Sequence, residues 1–346
     1  MNRATCYILH ATMNKLVLID GHAILHRAFY ALPSLTSKKG EPINAVYGFV
    51  SMLLRVIQDL KPTHIAVAFD RPEPTFRHKS FKAYQAQRPV MDEKLASQVE
   101  KAKEVLLAMG ICVYEKAGYE ADDIIGTLAR QAARKKFYLG KQKKDEGKER
   151  KKPKVGLQTS NLNRQSSGIE EVVIVTGDRD ILQLVDDKKK IRVYLPIKGL
   201  TEAKLMDSAE VIDRLGVKPK QIPDYKALVG DQSDNYLGVK GIGPKTAVSL
   251  LSKFKSKKEI YRNLNKIEKK TREILEKGKE EADISYHLAK ILTNISLDID
   301  FNNLKNWSVY NPKVEEVFSG FGFKTLKERA KKVEEKRVGE SQARLF

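Results

Sequence analysis

Several features that would place the chain in a common class are missing. Its 346 residues include only two cysteines, Cys6 and Cys112, which give neither a disulfide framework nor the ligand spacing of a zinc site. A reducing cytoplasm is therefore the expected compartment. No run of about eighteen apolar residues is present, so no membrane span is expected. Residues 1–12 lack the apolar core of a signal peptide. No Ser/His/Asp or Cys/His set suggests a side-chain nucleophile.

Positive charge, by contrast, is in excess. The chain has 64 Lys and Arg against 44 Asp and Glu, a formal net charge of +20. Such a surface favours a polyanionic partner, because phosphates are attracted to clustered cations. The alternative is a lysine-rich, solvated surface with no specific partner. The hydrophobic fraction of 41% is sufficient for a core, either of one large domain or of two small ones.

A short acidic segment precedes an apolar helical run. Glu120, Asp122 and Asp123 lie within four residues, and Ile124 and Ile125 follow directly. Glu120 and Asp123 are three residues apart, which puts them on one face at a helix start. Taken alone, the segment could simply be a charged helix N-terminus that the helix dipole stabilises.

Further acidic residues stand where predicted strands end. Asp20 and Asp70 close two apolar runs, and Asp178 and Asp180 follow a third. With Asp231 and Asp234, the complete set has nine carboxylates: Asp20, Asp70, Glu120, Asp122, Asp123, Asp178, Asp180, Asp231 and Asp234. Like charges in one cleft repel unless cations neutralise them. Oxygen-only ligands indicate Mg²⁺ or Mn²⁺.

Strands and helices alternate in the first half of the chain. Apolar strands are predicted at 16–20, 64–70, 111–114 and 172–177, and helices at 44–60 and 92–109. Nearly continuous apolar strands of this kind indicate a buried, mostly parallel sheet in an α/β fold. Ligands of such sheets collect beyond the carboxyl ends of the strands, where the acidic residues fall.

Residues 71–90 combine basic and aromatic side chains. Arg77, Lys82 and Arg88 interleave with Phe76 and Tyr84. This composition is typical of a segment that binds a nucleic-acid strand by phosphate pairing and base stacking. A plain exposed loop is the alternative.

A glycine-rich turn follows the last acidic pair. Its residues 238–247 include Lys240, Gly241, Gly243, Lys245 and Thr246. Gly-Ile-Gly before a helix exposes backbone amides that bind a phosphate without reading a base. The alternative is a structural helix-hairpin turn. The remainder, to about residue 330, is predicted to be helical, with one Lys/Glu-rich helix over 266–283.

Three segments are predicted to lie outside the folded units. Residues 1–12 form a disordered extension before Met13, the possible true start. Residues 135–168 form a basic insertion, because residues 135–154 have ten Lys or Arg against three Asp or Glu. Residues 331–346 form a tail. The folded units are then 13–206 and 207–330.

The ordered set of motifs resembles a known family. It is similar to the 5′ nuclease domain of bacterial DNA polymerase I and its flap endonuclease relatives. The motifs that carry the similarity are the glycine-rich turn and the segments Leu18-Ile19-Asp20-Gly21, Phe76-Arg77-His78, Tyr119 to Asp123, Thr176 to Asp180 and Gly230 to Asn235. The resemblance implies a PIN-like core with a helical arch at about 71–100 and a helix-three-turn-helix DNA-binding subdomain within 207–330. It implies hydrolysis of 5′-flap and nicked or branched DNA during replication and repair, with two divalent ions.

The resemblance also implies roles for individual residues. Asp20, Asp70, Glu120 and Asp122 match the family's first metal group, and Asp123, Asp178, Asp180, Asp231 and Asp234 match the second. Arg77 and Arg88 match cations that contact the scissile phosphate, and Tyr84 and the glycine-rich turn match DNA contacts, the turn with a K⁺ ion. The family often has a lysine where this chain has Gln85, and we hypothesise that Lys82 reaches the same phosphate. His22, His26 and His78 are interpreted as packing or phosphate contacts.

Alternatives remain at this level. A non-catalytic module that binds branched DNA would keep the fold without the metals, and a PIN-type ribonuclease would act on single strands. The last five residues, 342–346, resemble a peptide that docks on the sliding clamp. We expect a monomeric protein, and the sequence favours a stand-alone nuclease over the front part of a polymerase.

Overall fold

The computed structural model describes residues 13–133, 168–198 and 202–342. The predicted N-terminal extension, nearly all of the basic insertion and the last four residues lie outside these ranges. Within these ranges the chain forms six strands: β1 (Lys15–Asp20), β2 (His64–Ala68), β3 (Cys112–Tyr114), β4 (Glu171–Val175), β5 (Ile191–Lys198) and β6 (Glu202–Met206). They form one sheet in the order β3-β2-β1-β4-β5-β6, in which only β6 runs antiparallel to its neighbour. The predicted mostly parallel sheet is confirmed.

The register of the central strands aligns their carboxyl ends. Asp20 at the end of β1 pairs with Ala68 at the end of β2, and Ile19 pairs with Val175 at the end of β4. The residues that follow β2 and β4 therefore emerge at the same edge as Asp20. This alignment brings Asp70 and Asp178 to one side of the molecule.

The sheet lies between two hydrophobic layers because its central strands are buried on both faces. Leu16 and Leu18 of β1 pack into one layer, and Val17 and Ile19 pack into the other, as the two-residue period of a strand requires. All four side chains are at most 2% exposed. This double burial explains the continuous apolar runs in the sequence.

Thirteen α-helices surround the sheet within the described residues. They are α1 (Gly21–Ala31), α2 (Asn44–Leu60), α3 (Phe76–Ser80), α4 (Glu93–Ala108), α5 (Ala121–Ala132), α6 (Ser208–Leu215), α7 (Ile222–Val229), α8 (Pro244–Phe254), α9 (Lys257–Arg262), α10 (Lys269–Lys277), α11 (Lys279–Ala289), α12 (Pro312–Phe321) and α13 (Lys324–Gln342). None of them is both long enough and apolar enough to cross a membrane. The predicted bounds of α2 are confirmed, and that helix ends where Lys61 adopts a left-handed conformation before Pro62.

Two helical predictions are wrong in their extent. The helix predicted over 266–283 is divided into α10 and α11 at Gly278, whose φ of -97° and ψ of 23° depart from helical values and whose backbone lies against Val239. A Cβ atom there would lie 2.7 Å from Val239 Cγ1. The tail predicted from residue 331 is instead part of α13. Val333 of α13 is buried, and Arg337 stacks on Trp307 with its guanidinium carbon 4.5 Å from the ring centre.

The predicted boundary near residue 206 does not separate two cores. The layer that contains Leu16 and Leu18 continues through α5 into α7 and α8. The chain then returns to the opposite layer, where α12 packs on α4 and α13 packs on α2. The helical C-terminal part is thus fused to both faces of the sheet.

The segment predicted as a helical arch consists of several short elements. Residues 71–100 contain the short helix α3, a series of turns over 82–87 and the start of α4. The turns around Tyr84 are held against the C-terminal half of the chain, because Tyr84 packs with Tyr236 and Leu288 in a small separate hydrophobic cluster.

Candidate active site

Asp20 stands at the centre of the acidic edge of the sheet. One carboxylate oxygen accepts the Ala23 N–H at 2.9 Å and so caps α1, and the other accepts the Thr176 hydroxyl at 2.8 Å. Burial, followed by the negative charges of Asp70 and Asp178, raises the pKa of Asp20 to about 7. These shifts show that the side chains after β1, β2 and β4 lie close enough to repel one another.

Asp70 connects the end of β2 to the start of α5. Its Oδ1 accepts the Ala121 N–H at 2.7 Å, and its own N–H donates to His22 Nδ1 at 3.0 Å. The first turn of α5 is thereby fixed next to the sheet edge. His22 takes a packing and hydrogen-bonding position, as predicted from the sequence.

Glu120 and Asp122 join the same edge from α5. Burial raises the pKa of Glu120 to about 7 against the opposing effect of the Arg77 charge. Burial also raises the pKa of Asp122 well above its usual value, with further increases from the charges of Asp178 and Asp20. We call Asp20, Asp70, Glu120 and Asp122 the first acidic group.

A second acidic group consists of Asp180, Asp231 and Asp234. One carboxylate oxygen from each lies within 4.8 Å of the others. Burial raises the pKa of Asp180 to about 6 despite the nearby Lys226 ammonium. Asp178 is close to both groups, since its charge raises the pKa of Asp20 and Asp122 in the first group and of Asp180 in the second.

The second acidic group has the donor set of a hard divalent cation, with carboxylate oxygens only. Tyr236 provides an independent observation. Its side chain is 2% exposed and its hydroxyl has no hydrogen-bond partner among the described residues. Asp180 and Asp231 lie near enough for their charges to raise the pKa of this hydroxyl, although burial raises it most. A cation with bound water at the second acidic group would supply the missing partner.

Asp123 does not join either group, contrary to the prediction that it is a metal ligand. Its side chain is fully buried, and both carboxylate oxygens accept N–H groups of Arg77, at 2.8 and 3.0 Å. The Leu292 N–H also donates to Asp123 Oδ1 at 2.8 Å. The Asp123 carboxylate is therefore part of a buried ion pair with Arg77.

Arg77 is likewise not placed to contact a scissile phosphate. Besides Asp123, its guanidinium donates to the carbonyl oxygens of Leu288 and Lys290 at 2.8 and 3.0 Å and lies 3.2 Å from Glu120 Oε2. These contacts engage all three nitrogens, and the residue is 2% exposed. Arg77 holds α3, α5 and the end of α11 together.

The predicted DNA contacts around Tyr84 are only partly available. Tyr84 is 4% exposed, so its ring cannot stack on a base, contrary to the prediction. Lys82 is exposed, and Arg88 is half-exposed and pairs with Asp234 at 2.6 Å. Gln85 stands in place of the family's lysine, and its amide nitrogen donates to Asp234 Oδ1 and to the Tyr84 hydroxyl, both at 3.1 Å. Gln85 therefore positions Asp234 of the second acidic group.

The glycine-rich turn has the predicted geometry. Gly243 is the N-cap of α8, and Pro244 is its first residue. Gly241 adopts a φ of +97°, which favours glycine, while Val239 and Ile242 anchor the turn in the core. Lys240, Gly241, Gly243 and Lys245 are exposed and Thr246 is half-buried. The turn presents its backbone and two lysines to solvent.

Two residues of the site gave no usable signal in the sequence. Lys226 lies in α7 and forms ion pairs with both Asp180 and Asp231. A lysine in the last turn of a helix is ordinarily explained by the helix dipole, so it did not stand out. Tyr236 follows the acidic motif and reads as an ordinary core aromatic. Only the fold shows that both adjoin the second acidic group.

Comparison with known proteins gives two family models. The model described as the 5′-3′ exonuclease N-terminal resolvase-like domain matches residues 15–145, and the 5′-3′ exonuclease C-terminal SAM fold matches residues 217–312. The 5′-3′ exonuclease of Aquifex aeolicus is 35% identical over 85% of this chain and 87% of its own length. DNA polymerase I of Caldicellulosiruptor bescii is 38% identical over 91% of this chain. The chain spans about a third of that polymerase's length.

Two solved structures share the fold. The T5 D15 protein, co-crystallized with metal ions, aligns with a TM-score of 0.59 and 16% identity over 93% of this chain and 99% of that chain. The catalytic core of Rad2 in complex with DNA substrate aligns with a TM-score of 0.54 and 16% identity over 93% of this chain and 91% of that chain. At these identities the similarity establishes the architecture.

Proposed function

Since this chain belongs to the 5′-3′ exonuclease family, we propose that it hydrolyses phosphodiester bonds of 5′-flap and nicked or branched DNA in a metal-dependent reaction. The observation that carries the proposal is the convergence of eight carboxylates from separate parts of the chain at the carboxyl edge of the sheet: Asp20, Asp70, Glu120, Asp122, Asp178, Asp180, Asp231 and Asp234. Acting in replication and repair would fit its DNA polymerase I relatives.

The two acidic groups would each bind one divalent metal ion. The first acidic group would hold one divalent ion and the second acidic group another, with Asp178 close to both. Two such ions activate a water for attack at phosphorus and stabilise the departing 3′ oxygen when they are bound. We propose Mg²⁺ or Mn²⁺, because every donor is a carboxylate oxygen.

The remaining contacts would hold the DNA. The exposed amides and lysines of the glycine-rich turn suit the backbone of a duplex, with a K⁺ ion held by carbonyl oxygens of the turn. Arg88 and Lys82 lie on the segment above the second acidic group and suit the phosphate near the cut. The net charge of +20 supports binding to a polyanion.

The test is cleavage of a 5′-labelled flap duplex in Mg²⁺, with EDTA as control. Asp122→Asn should abolish cleavage and leave flap binding nearly intact, because it removes a ligand of the first acidic group without removing a DNA contact. Asp213→Asn makes the same chemical change on the exposed surface of α6 and should have no effect. Loss of binding with cleavage retained in Asp122→Asn would overturn the assignment.

The same substrate decides between the remaining possibilities. A non-catalytic module would bind the flap in Mg²⁺ without cutting it, and a single-strand ribonuclease would prefer single-stranded RNA. The length of the labelled product separates endonuclease from exonuclease action. We further propose a cytoplasmic monomer that docks on a sliding clamp through residues 342–346. Clamp pulldown that persists after their deletion would contradict this docking site.

A further inference from the structure

Lys226 occupies an unusual position inside the second acidic group. It lies in α7, five residues before Asp231, and its side chain is 16% exposed. Its ammonium forms ion pairs with Asp180 Oδ1 and Asp231 Oδ2. Asp180 and Asp231 are also two of the three residues that could share a cation with Asp234. The lysine therefore engages the carboxylates that a divalent ion would need.

The loop that carries Asp231 is held closed beside Lys226. The Asp231 and Tyr236 backbones exchange hydrogen bonds, at 2.7 and 3.0 Å, which closes the loop after α7. Gly230 and Gly238 allow this closure, since a Cβ on Gly238 would lie 2.3 Å from the Gly230 nitrogen. The third carboxylate, Asp234, pairs with Arg88 instead. The buried Lys226 and the half-exposed Arg88 thus oppose the three carboxylates of the second acidic group.

We infer that Lys226 is an internal counter-ion that holds Asp180 and Asp231 together in the metal-free protein and must leave both carboxylates when a divalent ion binds the second acidic group. The inference rests on the proposed function only in that this group binds a metal ion. Lys226 is a positioning residue in this scheme. It makes the second ion bind more weakly, because that ion must displace the ammonium.

The test is Mn²⁺ titration of the full chain by calorimetry in the absence of DNA. Lys226→Met should strengthen the weaker of two binding events by roughly tenfold, which is within the usual range of coupling between two ligands. Lys226→Arg restores the cation and should return the affinity toward that of the wild type. Lys220→Met is the matched control, since Lys220 is 79% exposed and pairs with Asp186, outside the group.

A second prediction concerns stability. Lys226→Met leaves the carboxylates of Asp180 and Asp231 to repel each other, so the metal-free variant should melt below the wild type. Saturating Mn²⁺ should remove most of this difference. If Lys226 had a merely structural role, its loss would weaken Mn²⁺ binding, and the melting temperature would stay equally low in saturating Mn²⁺. Weaker Mn²⁺ binding, or a difference in melting temperature that saturating Mn²⁺ does not reduce, overturns the inference.

The wild-type chain provides a measurement that does not depend on the folding of a variant. In protein labelled at the lysine Cε positions, the Lys226 signal should shift together with the weaker Mg²⁺ binding event. Lys226→Arg assigns the signal. A Lys226 signal that is unchanged at saturation contradicts displacement even if the wild type cleaves flap DNA. A chain that binds no Mg²⁺ or Mn²⁺ contradicts the displacement and the proposed function, whereas two-site binding without cleavage contradicts only the latter.

Discussion

Arg77 offers the clearest test of how the site is built, because sequence and structure give it different roles. As a phosphate contact it would be dispensable for folding and essential for cleavage. In the structure its guanidinium is buried against Asp123, Glu120 and two backbone carbonyls. We therefore expect Arg77→Met to act first on stability.

The expected loss of stability in Arg77→Met depends on the groups that lose their partner. Arg77→Met leaves the fully buried Asp123 carboxylate without its cation, and removing one partner of a buried ion pair costs about 3–5 kcal/mol. Combining Arg77→Met with Asp123→Asn removes the orphaned charge, so the double variant should lose less stability than the sum of the single variants. Arg77→Lys should recover only part of the loss, since an ammonium cannot reproduce the planar fork.

Urea unfolding of the metal-free chain measures these differences, with flap cleavage followed in parallel. Arg262→Ala is the control: Arg262 pairs with Glu259 at side chains that are 59% and 42% exposed, so its removal should cost less than about 1 kcal/mol. If Arg77→Met unfolds at the wild-type urea concentration but fails to cleave, the structural role is refuted and the phosphate contact is restored.

Two further predictions concern protons and phosphate. Because burial and neighbouring carboxylates raise the pKa of Asp20 and Glu120 to about 7, both retain protons near pH 6, and Mg²⁺ binding must displace them. Mg²⁺ affinity should therefore rise with pH through about 7, and calorimetry in buffers of different ionisation enthalpy should show more proton release at about pH 6 than at about pH 8. Equal proton release at the two pH values would contradict the raised pKa values of Asp20 and Glu120. Lys82→Ala should lower turnover without changing Mg²⁺ affinity; unchanged turnover means that Lys82 does not reach the phosphate.

The sheet and the acidic edge could be predicted because they follow from local rules. Strands buried on both faces have continuous apolar sequences, and parallel strands align their carboxyl ends. Asp20, Asp70 and Asp178 each directly follow such a strand or its short extension. Their convergence therefore needed no knowledge of tertiary contacts. The same holds for α8, whose start is encoded by Gly243 and Pro244.

The roles of neighbouring aspartates could not be predicted, because they depend on what packs against each face of a helix. Asp122 and Asp123 are adjacent, and successive helical residues point about 100° apart. Glu120 and Asp123 do share a face, as their spacing indicates, but that face is covered by Arg77. Arg77 lies more than forty residues earlier in the chain. Its approach is decided by the path of residues 71–90, which has no strong periodic pattern.

The internal cations explain how the fold holds so many carboxylates at one edge before any metal binds. Arg77 neutralises Asp123 in the interior, and Lys226 lies between Asp180 and Asp231. In the first acidic group, Asp20, Glu120 and Asp122 instead have raised pKa values, so protons take the place of cations there. Binding of the two metal ions then displaces a different positive species at each acidic group. Protons leave the first acidic group and an ammonium leaves the second, so acidity should weaken the first ion most, whereas changes at Lys226 should act on the second.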